Sequence, residues 1–477
     1  MRRRLAVALL GGILGAGLAA SPATAATATA RSGLARLPGL PRLPGPPRPP
    51  GLPLLGPAET EADGASGEPS ISGDGRYVAF ASTADNLTDG DDNGDWDVYV
   101  RDLEDGSTER VSVSRDGGDP NGPSYGPRIS ADGRYVAFYS HASNLVDGDT
   151  NNRWDVFVRD LVDGTTERVS VPDGASGSGG GDGDRGGQGN GDSVDSESRP
   201  AISADGRYIG FSSKASNLVA HDDNHTGDVF VRDTRRDTTT RVDLDSDGHE
   251  ANGFSYGIAV SADGRYAAFT SLATNLVPGD TNRTWDVFVR NLGEGTTARV
   301  SRGGSGAQGN APSYLAALDG DGGLVAFESD ATNLVRPDTN KVSEVFARDL
   351  DRRSTERASA NTDGGQPNGY CGSPDVSRDG RWVAFAGNAT NLVDGDTNGA
   401  SDVFVRDRAR GTTVRVSVDS DGTQGNGYSS SPSLSRTGRY VAFTSSATNL
   451  VPDDTNGTAD VFVRDLLLGT TDRVSVG

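Results

Sequence analysis

Residues 130–140 read SADGRYVAFYS, residues 154–161 read WDVFVRDL, and between them lies the polar stretch HASNLVDGDTNNR. Both apolar runs are short, rich in Val, Phe and Tyr, and free of 3.6-residue periodicity, which marks strands. Asp132-Gly133 joins PRIS (127–130) to the first run. Such a pair between strands predicts a two-residue hairpin with positive φ at both central positions. A second turn around Gly164 leads to TERVSV (166–171). One unit therefore predicts four antiparallel strands, A to D, and essentially no helix.

The unit recurs seven times. Its turn glycine returns at Gly75, Gly133, Gly206, Gly264, Gly322, Gly380 and Gly438, with spacings of 58 residues except for one of 73. The extra residues are expected in the Gly/Ser/Asp-rich segment 173–192, as a disordered loop insertion. A repeated four-stranded meander of this length predicts an all-β fold, a seven-bladed β-propeller of four-stranded antiparallel blades. A linear β-solenoid would have shorter rungs. Unit one opens with strand A from Pro69 and unit seven ends with strand D by Val476. No strand is left over for exchange, so ring closure is expected to rest on packing between the first and last blades.

Three arginines (Arg2, Arg3, Arg4), a sixteen-residue apolar stretch (Leu5 to Ala20) and the small residues SPATAA form a secretory signal peptide, cut after Ala25. Residues 26–65 are expected to be a Pro-rich disordered linker and residues 66–477 the propeller. No later stretch reaches the ~18 apolar residues that a transmembrane helix needs. The expected location is secreted or extracellular, with association to the cell envelope left open. Beyond residue 58 the chain carries 38 Lys and Arg against 67 Asp and Glu. That balance argues against nucleic acid or anionic lipid as the main partner. The single cysteine, Cys371, excludes an intrachain disulfide.

The repeated SxDGRYVAF followed by DVFVRDL resembles the WD-repeat-like units of TolB-type propellers over about residues 66–477. The resemblance implies the propeller fold. It says little of function, since such propellers include periplasmic interaction proteins and the substrate-gating domains of prolyl oligopeptidases. Neither the second domain of TolB nor the hydrolase of an oligopeptidase is expected here.

Strands that alternate up and down put the short A–B and C–D turns on one face and the longer B–C and D–A loops on the other, the expected working face. Six D–A aromatics, Tyr125, Phe254, Tyr256, Tyr314, Tyr370 and Tyr428, are expected around the channel mouth, where they could stack on a sugar or grip a peptide. Packing into the grooves between blades is the alternative.

The B–C loops carry alternating oxygen-bearing residues at positions 1, 3, 5 and 9. The pattern is complete in three loops: Asp89, Asp91, Asn93 and Asp97; Asp147, Asp149, Asn151 and Asp155; and Asp394, Asp396, Asn398 and Asp402. It resembles calcium loops of the DxDxDG type, because a hard cation needs six to eight oxygens. Position 1 is Ala220, Pro278, Arg336 or Pro452 in the other units, while the rest persists. Positions 3, 5 and 9 must then also serve a purpose without an ion, as in Asx-turns. Two GxSxG matches, at 122–126 and 253–257, lack the helix that a nucleophile elbow needs.

The expected function is an exported non-enzymatic binding or scaffold module, monomeric and with Ca2+ as the candidate ion, that takes a protein or glycan through its long-loop face. The alternative is a hydrolase or lyase acting on polysaccharide at the channel mouth. Carboxylates with Tyr or His within ~3–6 Å of one another at that mouth would favour the enzyme.

Overall fold

The computed structural model describes residues 60–174, 187–193 and 199–477. The signal peptide and nearly all of the linker fall outside them, as do parts of the insertion. The described chain folds into seven four-stranded antiparallel sheets, each with sequence-order neighbours paired, and no helix occurs among the described residues. Blade two is typical: strand A is Ser124–Ile129, B is Tyr135–Ser140, C is Asp155–Asp160 and D is Thr165–Arg168.

The repeated VAF/VFV alternation builds the ring. Strand residues alternate between the two faces of a blade. On one face of blade two, Val136, Phe138 and Phe157 pack onto Ala79, Val98 and Val100 of blade one. On the other face, Ala137, Val156 and Val158 receive Phe211 and Phe230 of blade three. Small residues on one face thus accept large rings from the next, and each buried Phe contributes about 1.5–3 kcal/mol.

The A–B turn differs from the expected two-residue hairpin. Only Gly133 has positive φ (75°); its N–H donates to the Ser130 carbonyl at 3.0 Å, and Ser130 N–H donates to the Tyr135 carbonyl at 2.8 Å. Asp132 accepts from Ser130 Oγ and Arg134 N–H instead of adopting positive φ itself. Glycine is doubly required here, because a Cβ on Gly133 would run into the Tyr77 ring of blade one. The Arg-Asp end of strand C braces the same hairpin. Arg134 Nε and Nη2 donate to Asp160, while strand-C arginines such as Arg406 reach carbonyls of the preceding blade.

The closure also differs. Blades one and seven pack like any other pair, Phe80 and Tyr99 against Ala442, Val461 and Val463. A backbone seam is added to this packing: Glu61 bridges Val476, Ala62 N–H donates to Ser475 O, and Gly477 N–H donates to Thr60 O. Equivalent bridges join Leu244 to Glu250, Arg302 to Gln308 and Val418 to Gln424 within continuous D–A hairpins. Among the described residues, pairing therefore includes Thr60 to Ala62, inside the stretch read as linker. The insertion is divided as well. Ser193 occupies the first strand-A position, bonded to Ser213 Oγ, yet the paired part of that strand is only Ala201–Ile202. Four of the extra residues therefore fall between Ser193 and Arg199 and not in segment 173–192.

Candidate functional site at the channel mouth

The B–C loops are organised around an arginine that lies far from them in sequence. In blades one to five a strand-D guanidinium lies within 4.0 Å of both the position-3 and position-9 carboxylates. Arg110 reaches Asp91 and Asp97, Arg168 reaches Asp149 and Asp155, and Arg299 reaches Asp280 and Asp286. Blade six is arranged differently. Arg415 approaches Asp402 at 3.8 Å, while the half-buried Asp396 accepts from the side-chain amide of Gln424 at 3.0 Å. In blade seven Arg473 lies between Glu61 and Asp454. The position-5 Asn turns its amide nitrogen towards the position-9 acid in all seven blades; Asn151 does so at 2.8 Å, Asn93 at 2.9 Å and Asn398 at 3.3 Å. Its oxygen accepts the N–H two residues on, as at Asn151–Arg153, which is an Asx-turn.

The four positions of the three complete loops do not converge. Asp89, Asp147 and Asp394 are exposed, and Asp147 pairs with Arg115. In two of these loops the guanidinium stands where a cation would sit, against Asp91 and Asp97 or Asp149 and Asp155. In the third, Gln424 Nε2 takes that place, donating to Asp396 and, at 3.1 Å, to Asp402. Burial pushes the strand-C carboxyls of Asp97 and Asp155 up to about 6, against the opposing effect of their serine, asparagine and arginine partners. Among the described residues, two triads of acidic or histidine ligands come within reach of a common ion. Glu61/Asp454/Asp460 includes the two acids that Arg473 reaches, and Asp245/Asp247/His249 lies on a D–A hairpin.

The predicted aromatics do not form an even ring. Tyr256 is buried and Phe254 packs on it at 6.0 Å, both against Trp285. Tyr314 is half-buried in strand A of blade five. Tyr428 is 56% exposed, and Tyr370, 43% exposed, donates to Glu328 at 3.0 Å. Tyr125 is the centre of a larger cluster, with Trp96, Tyr139 and Trp154 all 5.6–5.9 Å from it. His141 lies 5.2 Å from Trp154. These five rings are half-buried. Tyr125 and Tyr139 face each other across strands A and B, so the rings run outward from the channel over blades one and two.

This patch continues into the channel. Strand A bulges in every blade where its start is described, and the bulge position holds Glu68, Gly126, Gly257, Leu315, Ser373 and Ser431, all with positive φ. Blade three has Arg199 at this position. Its side chain crosses to Ser431 Oγ at 3.4 Å and approaches Glu68 at 3.9 Å. Two residues further along strand A lie Ser70, Arg128, Asp375 and Ser433. Ser70, Asp375 and Ser433 each accept the N–H of Ile129, Leu434 or Ile71 in the next blade.

Sequence reading missed Trp96, Trp154, Tyr139, Arg128 and Arg199. Their signal was departure from the repeat: Trp before the strand-C acid occurs in three of the seven units. The GxSxG serines, Ser124 and Ser255, are buried and bonded to Ser140 and Ser271. Cys371 and Gly387 take the places of that serine pair in blade six, so the cysteine is a packing residue.

Fold and mouth together define a seven-bladed β-propeller with an asymmetric aromatic entrance. No family model matches the chain, and no curated protein matches it by sequence. Solved structures do match in fold. An oligogalacturonate lyase from Vibrio parahaemolyticus superposes with TM-score 0.51 at 14% identity, over 85% of this chain and 92% of that one. A prolyl endopeptidase gives 0.50 at 14% identity over 87% of this chain, which spans 50% of that enzyme. TolB from Acinetobacter baumannii is also among the similar structures, at TM-score 0.37 and 15% identity, over 75% of this chain and 64% of that one.

Proposed function

We propose that the protein is an exported, non-enzymatic binding module that takes a glycan at the channel mouth. The observation that carries this reading is the five-ring patch around Tyr125. Half-buried, mutually packed aromatic faces form a preformed platform for the apolar faces of a sugar, and the neighbouring Glu68 and Arg199 offer the few polar groups that fix its orientation. The aromatic cluster of blade four holds three rings, Phe254, Tyr256 and Trp285, and its Tyr256 is buried. Ligand binding, unlike structural packing, has no need of sevenfold repetition. The test is binding to immobilised oligosaccharides. Trp154→Ala is expected to weaken the interaction by about 2 kcal/mol, roughly 30-fold. Trp285→Ala, which removes a Trp from blade four, is expected to leave it unchanged. Equal affinity for wild type and Trp154→Ala would refute this reading.

A second reading, a polysaccharide-cleaving enzyme, draws on one observation. Glu328, buried in strand B of blade five, accepts from Tyr370 Oη at 3.0 Å, Ser343 Oγ at 3.0 Å and Ser373 N–H at 3.3 Å. Burial raises the carboxyl of Glu328, as a general acid requires. Cleavage of a neutral or acidic polysaccharide that disappears in Glu328→Gln would favour this reading over the first.

A further inference from the structure

Strand A beneath the aromatic patch carries two arginines, Arg128 and Arg199. Arg128 replaces the Ser or Asp that accepts a backbone N–H in three other blades, and a guanidinium cannot accept. It makes no hydrogen bond or ion pair with any described residue. Arg199 contributes one long bond to Ser431 Oγ and a 3.9 Å approach to Glu68. Of the two nearby carboxylates, Asp375 accepts from Leu434 N–H at 2.6 Å, and Glu68 from Gly126 N–H at 2.7 Å. Burial, followed by the nearby charge of Arg199, pulls the Arg128 guanidinium down to about 10, while Asp375 and Glu68 act the other way.

Arg128 lies two residues along strand A from the bulge, and Arg199 packs beside Gly126, whose other neighbour is the Tyr139 ring. The donors therefore lie at the inner end of the aromatic patch. We propose that Arg128 and Arg199 bind the single carboxylate of an acidic sugar whose ring stacks on Tyr125 and Tyr139, a reading that rests on the glycan platform above. Guanidinium groups pair with carboxylates through parallel N–H donors, which adds geometric selectivity to charge. The ligand carries one acid group and not many, because the chain as a whole is strongly acidic, with a net charge of −22, and would repel a polyanion.

The test uses the full chain and an array of oligosaccharides that each end in one uronic acid, printed beside the same array after reduction of the carboxyl to CH2OH. Binding at least 10-fold tighter to the acidic series is expected. Arg128→Gln should abolish that preference, bringing affinity for the acidic series down to that for the reduced series. Equal binding of both series would overturn the carboxylate site and leave the glycan platform standing. Binding to neither series would overturn both. Preference for a peptide with a free C-terminal carboxylate over the acidic sugars would overturn the proposal in favour of a protein ligand.

Discussion

At the residue scale, Asp243 breaks a rule that its neighbours keep. In five blades a strand-D serine donates to the strand-C acid, at 2.5–2.6 Å in Ser112–Asp97, Ser170–Asp155 and Ser475–Asp460. Blade three puts Asp243 there, fully buried against Asp228, Arg241 and Ser255. An aspartate can donate only when protonated. Burial, followed by the charge of Asp228, raises its carboxyl far above the usual range. A folded-state pKa above the unfolded value means that the folded chain holds the extra proton. The stability this pair contributes is therefore complete below about pH 4 and is lost as pH rises towards the folded pKa. Asp243→Ser restores the repeat's donor. It should raise stability by about 1–3 kcal/mol at pH 8 and hardly at all at pH 4, as read from urea unfolding at both.

At the element scale, the B–C loop and strand D form one electrostatic unit. Arg299→Ala strands Asp280 and Asp286 without a counter-charge and should cost about 3–5 kcal/mol, less at acid pH where Asp280, whose carboxyl burial raises, can protonate. The same geometry predicts that a chelator shifts the melting temperature by no more than about 1 °C, because arginine or, in blade six, Gln424 already meets the loop carboxylates. A clear fall on chelation would overturn that account. The DxDxN spacing looks alike with or without an ion, which is why the loop motif alone could not decide between them. The residues that meet these carboxylates, Arg168 for Asp149 and Asp155 and Gln424 for Asp396 and Asp402, lie on other elements and were invisible to a reading of the loop. The strands themselves were legible, since VAF and VFV alternate strictly and every blade packs Phe onto small residues. The A–B turn was misjudged for a local reason. Asp132 serves through its side chain, so only Gly133 needs positive φ. Replacing that glycine by alanine adds backbone strain to the clash with Tyr77 and should destabilise by about 2–4 kcal/mol in thermal unfolding.

At the scale of the whole molecule, the ring is nearly uniform in construction and uneven in chemistry. Repetition made the blade number readable from glycine spacing. It also concealed the mouth, because Trp154, Arg128 and Arg199 stand out only when each unit is compared with the other six. The seam is the one blade junction where the bridge preceding strand A is made by the two ends of the described chain. Deleting residues 60–62 is expected to speed amide exchange in blades one and seven while leaving blades three to five protected.

That seam is a hairpin without its tip. In the continuous copy, Val418 and Gln424 are bridged across the five residues 419–423, and Val476 and Glu61 meet in the same way with no tip to join them. The order in which the blades are synthesised is therefore arbitrary as far as the finished ring is concerned. Linking Gly477 to Thr60 through a short Asp-Gly-containing tip and opening the chain between Asp421 and Gly422 should yield a circular permutant with the same seven blades and the same mouth.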